Sequence, residues 1–166
     1  FLDCRVKHGA ALVCAVDGGD GQLAGSLRAN PCVVNLEKTN IGDASLLALD
    51  PPPTLGTVDL SYLSLRKAVP QFAEILHNTG DLICLVKPLF EVDDANARRT
   101  GELSPQAYAP LLYSLARDFT RDGYAVCGIA HSPVTGNNGT LEFFVHLALN
   151  GRNGLSQSEC ENAADQ

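Results

Sequence analysis

The chain of 166 residues contains no methionine and no tryptophan. Phe1 stands where a translation product would carry its initiator, so the sequence reads as a fragment of a longer chain. No run of about 18 or more apolar residues occurs, so no segment has the length of a membrane-spanning helix, and no signal-peptide pattern opens the chain. Positive charge is also scarce. Twelve Lys and Arg face 19 Asp and Glu, for a net charge of −7. Such a surface repels phosphate unless cations are locally concentrated, which argues against an autonomous nucleic-acid-binding module. Six cysteines are present but none forms a CxxC pair, so the zinc-site spacing is missing and no metal is expected. Cys14, Cys84 and Cys127 lie in apolar runs and read as small buried hydrophobes in a reducing, cytoplasmic setting; a disulfide framework is the minority reading.

What is present is an alternation of strand-length apolar runs with segments of helical period. Leu12 to Val16 (LVCAV) has the continuous apolarity of a strand buried on both faces. A glycine-rich turn from Asp17 to Gly21 leads into a helix-like stretch ending near Ala29, and Cys32 to Leu36 is a second strand candidate. The segment 39–55 is turn-rich and ends in three prolines, so it reads as loop with room for one short helix. Thr57 to Leu60 opens a third strand. Ser61 or Ser64 can cap the following helix, which carries Leu65, Val69, Phe72, Ala73 and Leu76 on one face and is closed by Gly80. Leu82 to Val86 (LICLV) is the fourth strand, ended by Lys87-Pro88. A further helix runs from about Pro110 to Gly123, and Tyr124 to Ala130 and Leu141 to Leu149 are the last strands. The loop between them, HSPVTGNNG, has hairpin length and Asn-Asn-Gly turn chemistry, so these strands should run antiparallel. The pattern predicts an α/β fold with a mostly parallel sheet and one antiparallel strand near the C-terminus. Residues 1–149 form the domain; residues 150–166 are polar, without apolar period, and are expected to be disordered.

In an open parallel sheet, ligands bind beyond the carboxyl ends of the strands. The residues there are Asp17, Glu37 to Asn40, Asp59 and Lys87, joined by Glu142 on the final strand. Asp17 precedes glycines and suits the ribose hydroxyls of a nucleotide-like cofactor, or equally a helix-capping turn. Lys87 follows five apolar residues, so its ammonium is partly desolvated and can act as a base or charge stabiliser; snorkelling to solvent is the bland alternative. Asp59 can pair with it, and Glu142 adds a third charge; a purely structural ion-pair network fits the same three residues. His131 and His146 read as structural or surface residues, Arg66-Lys67 as an exposed helix face, and Arg98-Arg99 as a solvated loop able to meet a phosphate.

Three blocks, VDLSYLSLRKAVP, LVKPLFEV and SPVTGNNGTLEFFVHL, resemble successive blocks of the haemolysin-A-like (TlyA) family of FtsJ-type RNA methyltransferases. The opening FLDC…HGAALVCAVDGGDGQLAGSLR and the segment LEKTNI are similar to earlier parts of that family, and the resemblance spans roughly residues 1 to 149. It implies a Rossmann-like, S-adenosylmethionine-dependent methyltransferase sheet with strand order 3-2-1-4-5-7-6. It also implies a Lys-Asp-Lys-Glu set for methylating a ribose 2′-hydroxyl. Asp59, Lys87 and Glu142 match the Asp, second Lys and Glu of that set. Asp17 matches the cofactor-ribose position, with Gly18, Gln22, Asn40 and Asp59 beside the cofactor. The implied partner is RNA, in particular ribosomal RNA or a ribosomal subunit, and no membrane.

The family's first strand, its glycine-rich cofactor loop and its first catalytic lysine have no counterpart, so an N-terminally truncated domain is expected. After Lys87 the sequence reads EVDDANARRTGELS rather than the glycine-rich run of many relatives. A sheet without its central strand leaves two exposed edges, which invite direct pairing, self-association or instability. Two readings stand besides the methyltransferase: a non-catalytic binding or regulatory relative, and membrane lysis, which no amphipathic basic helix supports. The chain alone is expected to bind S-adenosylmethionine more weakly than micromolar, and calorimetric titration measures this directly.

Overall fold

The computed structural model describes residues 1–136, 139–151 and 154–164. The chain divides into two compact units, Phe1–Leu49 and Asp50–Gln166. The first holds helix α1 (Leu2–Lys7), strand β1 (Val13–Asp17), helix α2 (Gly25–Arg28), strand β2 (Val33–Glu37) and a 3-10 turn over Ala44–Ala48. β1 and β2 pair in parallel from Val13↔Val33 to Asp17↔Glu37. The expectation that LVCAV is buried on both faces is not met: Leu12 and Val16 are exposed, and Val13, Cys14 and Ala15 only half-buried. The reason is size. Leu46 is the one buried residue among 1–49, and a two-stranded sheet with so few side chains to cover it cannot sequester both faces.

The second unit carries the core. Its elements are β3 (Leu55–Val58), α3 (Leu65–Ile75), β4 (Asp81–Val86), α4 (Pro88–Glu91), α5 (Ala95–Thr100), α6 (Tyr108–Arg121), β5 (Ala125–His131), β6 (Phe143–Ala148) and α7 (Gln157–Ala164). The sheet order is β3-β4-β6-β5, with β3 parallel to β4 and β6 antiparallel to both neighbours. With β1 beside β2 in a separate sheet, the neighbours in each sheet agree with the order implied by the resemblance once its first strand is left out. β1 and β3 each have one strand partner among the described residues. Leu82, Cys84 and Val86 alternate along β4 and face Val145 and Leu147 of β6, as a strand with one deeply buried face should. α3 buries Leu65, Ala68, Val69 and Ala73 at helical spacing, and α6 buries Leu111, Leu112, Leu115 and Phe119. Ser64 caps α3, its Oγ accepting from the Arg66 N–H at 3.2 Å. Burial pushes the Cys84 thiol up to about 12, with the Glu91 charge adding to it, so this cysteine behaves as a hydrophobe. All six cysteines are free thiols; Cys14 and Cys127 are half-buried rather than buried.

Several boundaries differ from expectation. α3 ends at Ile75, where His77 and Asn78 take positive φ; Gly80 instead opens β4. Its φ of +78° and a carbonyl oxygen of Thr54 only 2.1 Å from where a Cβ would stand leave no room for another residue. Pro110 lies in the first turn of α6, where its missing N–H costs nothing. Two short helices, α4 and α5, occupy the stretch after Lys87 that reads as merely polar. The tail expected to be disordered folds in part as α7. Ser156 and Glu159 cap it reciprocally, at 2.8 Å from the Ser156 N–H to the Glu159 carboxylate and 3.4 Å in return. The Leu155 N–H donates to the Val126 carbonyl of edge strand β5 at 2.6 Å, and Cys160 and Ala164 are buried. Two apolar residues four apart are too faint a period to stand out in sequence. The Asn137-Asn138 turn chemistry lies outside the described residues. Among the described residues no helix is long and apolar enough to cross a membrane.

Arg66 is not a simple exposed face. Its Nε donates to Asp118 Oδ2 at 2.7 Å and its Nη2 to Ser114 Oγ at 3.1 Å, tying α3 to α6. The Arg66 hydrogen bond, the largest influence, holds the Asp118 carboxyl below its usual value against the opposing effect of burial, and the charges of Arg66, Arg121 and Arg117 add to it. A folded-state value depressed in this way stabilises above the unfolded value and is lost as pH falls through the folded one. Asp118→Asn is therefore expected to lower the melting temperature at neutral pH. The gap from wild type should close below about pH 4, measured by thermal melts across an acid pH series.

Candidate functional site

β3 and β4 are parallel, so the residues following them leave the sheet at the same end: Asp59 one step after Val58, Lys87 one step after Val86. β6 runs the other way and its first residue, Phe143, pairs with Val86, so Glu142 enters the sheet at that same end. The sheet register thus gathers all three residues predicted from the sequence along one edge. Lys87 Nζ stands 2.6 Å from Asp59 Oδ1 and 3.4 Å from Ser61 Oγ. The Lys87 side chain is 22% exposed and that of Asp59 is 50% exposed, so the pair is reachable from solvent. Among the described residues no ion pair joins Glu142 to Lys87. The Glu142 carboxylate lies instead against Gly136, where a Cβ would fall 2.7 Å from Oε1. The Ser132 N–H donates to the Glu142 carbonyl at 2.8 Å, and Gly136 N–H to that of Thr140 at 2.8 Å, shaping the loop around this carboxylate.

Sequence reasoning misses three contributors. Ser61 reads there only as a helix cap, yet it is the second oxygen on Lys87. Tyr62 has φ of +68° and is 91% exposed, with its ring 5.3 Å from that of Phe90. Glu91 closes α4 and reaches the start of α3. A positive φ at a tyrosine has no sequence signature, and Glu91 looks like any acidic residue in a polar stretch. His131, at the end of β5, is exposed and meets the Phe143 ring edge-on at 5.5 Å. His146, by contrast, lies at the middle of β6 with Nε2 3.0 Å from Asp81 Oδ1. Arg98 and Arg99 are taken up locally, by the Val92 carbonyl and Asp93 and by Asn96.

In the first unit, Asp17 is the last residue of β1. Its Oδ1 accepts the Gly19 N–H at 2.7 Å and its carbonyl accepts the Thr39 N–H at 3.0 Å, while the Lys38 N–H donates to the Gly19 carbonyl at 2.9 Å. These bonds join the loops after β1 and β2. Gly18 is exposed with nothing within 4 Å of a would-be Cβ, Gln22 Nε2 donates to the Asp20 carbonyl at 3.3 Å, and Asn40 Oδ1 accepts the Gly42 N–H at 3.1 Å. Glu37, opposite Asp17 in register, is 11% exposed and paired with Arg28 at 2.8 Å. Burial alone would raise its carboxyl; hydrogen bonds from Asn35, Gly21 and Leu23 and the Arg28 charge bring it below its usual value. Asp17 therefore keeps an exposed carboxylate beside an open glycine, an acceptor that fits the hydroxyl donors of a ribose diol, whereas Glu37 is committed to structure.

The FtsJ-like methyltransferase family model matches residues 1–149. The "Putative rRNA methyltransferase YqxC" of Bacillus subtilis is 35% identical over 149 residues, covering 89% of this chain and 53% of that protein. The "16S/23S rRNA (cytidine-2'-O)-methyltransferase TlyA" of Mycobacterium tuberculosis is 35% identical over 164 residues, covering 98% of this chain and 61% of that one. The chain thus spans between half and two thirds of the length of these curated relatives. A crystal structure described as a "putative hemolysin" from Lactococcus lactis superimposes with a TM-score of 0.86 at 31% identity, covering 98% of this chain and 79% of the other. With nine tenths of its length matched and the strand order of each sheet in agreement, this chain belongs to the FtsJ-like methyltransferase family.

Proposed function

We propose that this chain carries residues of an S-adenosylmethionine-dependent RNA 2′-O-methyltransferase whose substrate is ribosomal RNA, acting in the cytoplasm. The observation that carries this reading is the Lys87–Asp59 pair at 2.6 Å, standing where two parallel strands leave the sheet and a third strand brings in Glu142. The substrate class is taken from what TlyA's name says of that protein.

A ribose 2′-hydroxyl attacks poorly until its proton leaves. Lys87, aimed by the oxygens of Asp59 and Ser61, can take that proton as a neutral amine, and the ammonium so formed stabilises the charge left on the 2′-oxygen. Asp59 holds the ammonium in place, and Glu142 balances charge at the sheet edge. Asp17 would accept hydrogen bonds from the donor's ribose, with Gly18, Gln22 and Asn40 beside it. When bound, the donor supplies a methyl group already electrophilic at its sulfonium, so the protein's part is alignment and charge control. Tyr62 offers an exposed ring beside Lys87's loop on which a splayed-out base can stack.

Methyl transfer to ribosomal RNA by the whole protein is expected to fall by roughly 100-fold or more in Lys87→Ala, the scale of a lost proton-transfer or charge-stabilising group. An unchanged rate would remove Lys87 from the mechanism. Asp17→Ala is expected to weaken S-adenosylmethionine binding by about tenfold to 100-fold, since hydrogen bonds to a charged group are lost, with RNA affinity retained; calorimetry and filter binding separate the two.

A further inference from the structure

An exposed lysine–carboxylate pair does not hold its own geometry, because solvent competes for both charges and two flexible side chains must be ordered. Yet Lys87 and Asp59 meet at 2.6 Å although Asp59 is half exposed. Something else sets the separation of the two loops that carry them. Asp59 begins the segment leading to α3, and Lys87 begins the segment leading to α4.

Four residues beyond Lys87, Glu91 has a side chain only 2% exposed. Its Oε1 accepts the Leu65 N–H at 2.6 Å; its Oε2 accepts the Ser64 hydroxyl at 2.6 Å and Arg66 Nη1 at 3.3 Å. These donors belong to the cap and first turn of α3, so Glu91 satisfies from another segment one of the backbone N–H groups that a helix start leaves free, that of Leu65. The linkage from Glu91 back to Lys87 is short and stiff: Lys87 caps α4, its carbonyl accepting the Phe90 N–H at 2.9 Å, and Pro88 fixes the first helical position. On the other side, Arg66 continues to Asp118 and Ser114, which anchors the junction to α6. Between pair and junction, Tyr62 and Phe90 touch, and Ser61 reaches Lys87. The two loops are thereby fastened at successive points, with the buried junction at one end and the reactive pair at the other.

We propose that Glu91 is a positioning residue: its buried carboxylate clamps the loop after β3 to the loop after β4 and so sets the place of the Lys87 ammonium. The inference rests on the methyltransferase reading for its consequence in catalysis, but not for its consequence in geometry. A packing role alone predicts lower stability and nothing more. A clamp predicts that the lysine head loses its fixed position while the protein remains folded.

Glu91→Gln, which keeps the size of the side chain and removes its charge, is the test variant. In the whole protein, kcat for RNA methylation is expected to drop about tenfold to 100-fold, the scale of a misplaced reacting group, with KM for donor and RNA within about threefold of wild type. This chain has four lysines, so in the chain itself the Lys87 ammonium can be followed by nitrogen-15 relaxation after lysine labelling. Its order is expected to fall to that of exposed Lys67. Ser64→Ala removes one of the three donors and is expected to give the same two changes at about two- to threefold in kcat; it carries the test if Glu91→Gln does not fold. A lowered melting temperature with wild-type kcat and wild-type Lys87 order overturns the proposal. If the wild-type protein transfers no methyl group to RNA, the enzymatic reading fails, and Lys87 order in the two variants still decides the clamp.

Discussion

The antiparallel course of β6 between β4 and β5 is the constraint on which the second unit depends. Were β6 parallel, its residue Glu142 would enter at the opposite end of the sheet from Lys87 and Asp59. Run antiparallel, with Phe143 opposite Val86, it brings a third charged residue to the edge where β3 and β4 deliver theirs. The same register places Val145 and Leu147 against Cys84 and Leu82, so the pairing that assembles the edge also closes the core. Site and stability therefore share one set of hydrogen bonds.

Burial is divided unequally around that edge. Lys87 and Asp59 remain open to solvent, and an exposed pair contributes only about 0–1 kcal/mol. A few residues away, Glu91, Arg66 and Asp118 form a shielded chain of charge-assisted hydrogen bonds linking α4, α3 and α6. Removing one partner from such a group leaves a buried charge uncompensated, which is far costlier than breaking a surface pair. The shielded charges lie beneath the surface and the open pair upon it.

The first unit shows the opposite balance. Its parallel pair β1-β2 positions Asp17 at a strand end by the same rule that positions Asp59 and Lys87, yet Leu46 alone among its residues is buried. Local devices hold its loops: the Asp17–Gly19 turn, the Lys38–Asp20 pair at 2.7 Å and the Arg28–Glu37 pair. The Asp17 carboxylate is left open, and Glu37 beside it in register is spent on structure.

Strand positions, the α/β class and the residues standing at strand ends are legible in the sequence, because apolar runs and the rule of carboxyl-end sites are local. Asp59, Lys87 and Glu142 stand out as a set from their places beside apolar runs, and the family blocks around them point the same way. What the sequence does not carry is anything dependent on distant partners. Glu91 and Arg66 look like solvated charges until α3, α4 and α6 pack and leave them facing one another. Tyr62 gains its positive φ from the loop it must close, and α7 becomes a helix only because β5 offers a carbonyl edge and α6 a surface for it. LVCAV carries the apolar run of a doubly covered strand, but coverage belongs to neighbours, and the first unit supplies few. The sequence by itself determined which charged residues stand at the strand ends. Tertiary structure decided which of them touch, since contact between segments 25 or more residues apart is set by sheet register and helix packing rather than by any local period.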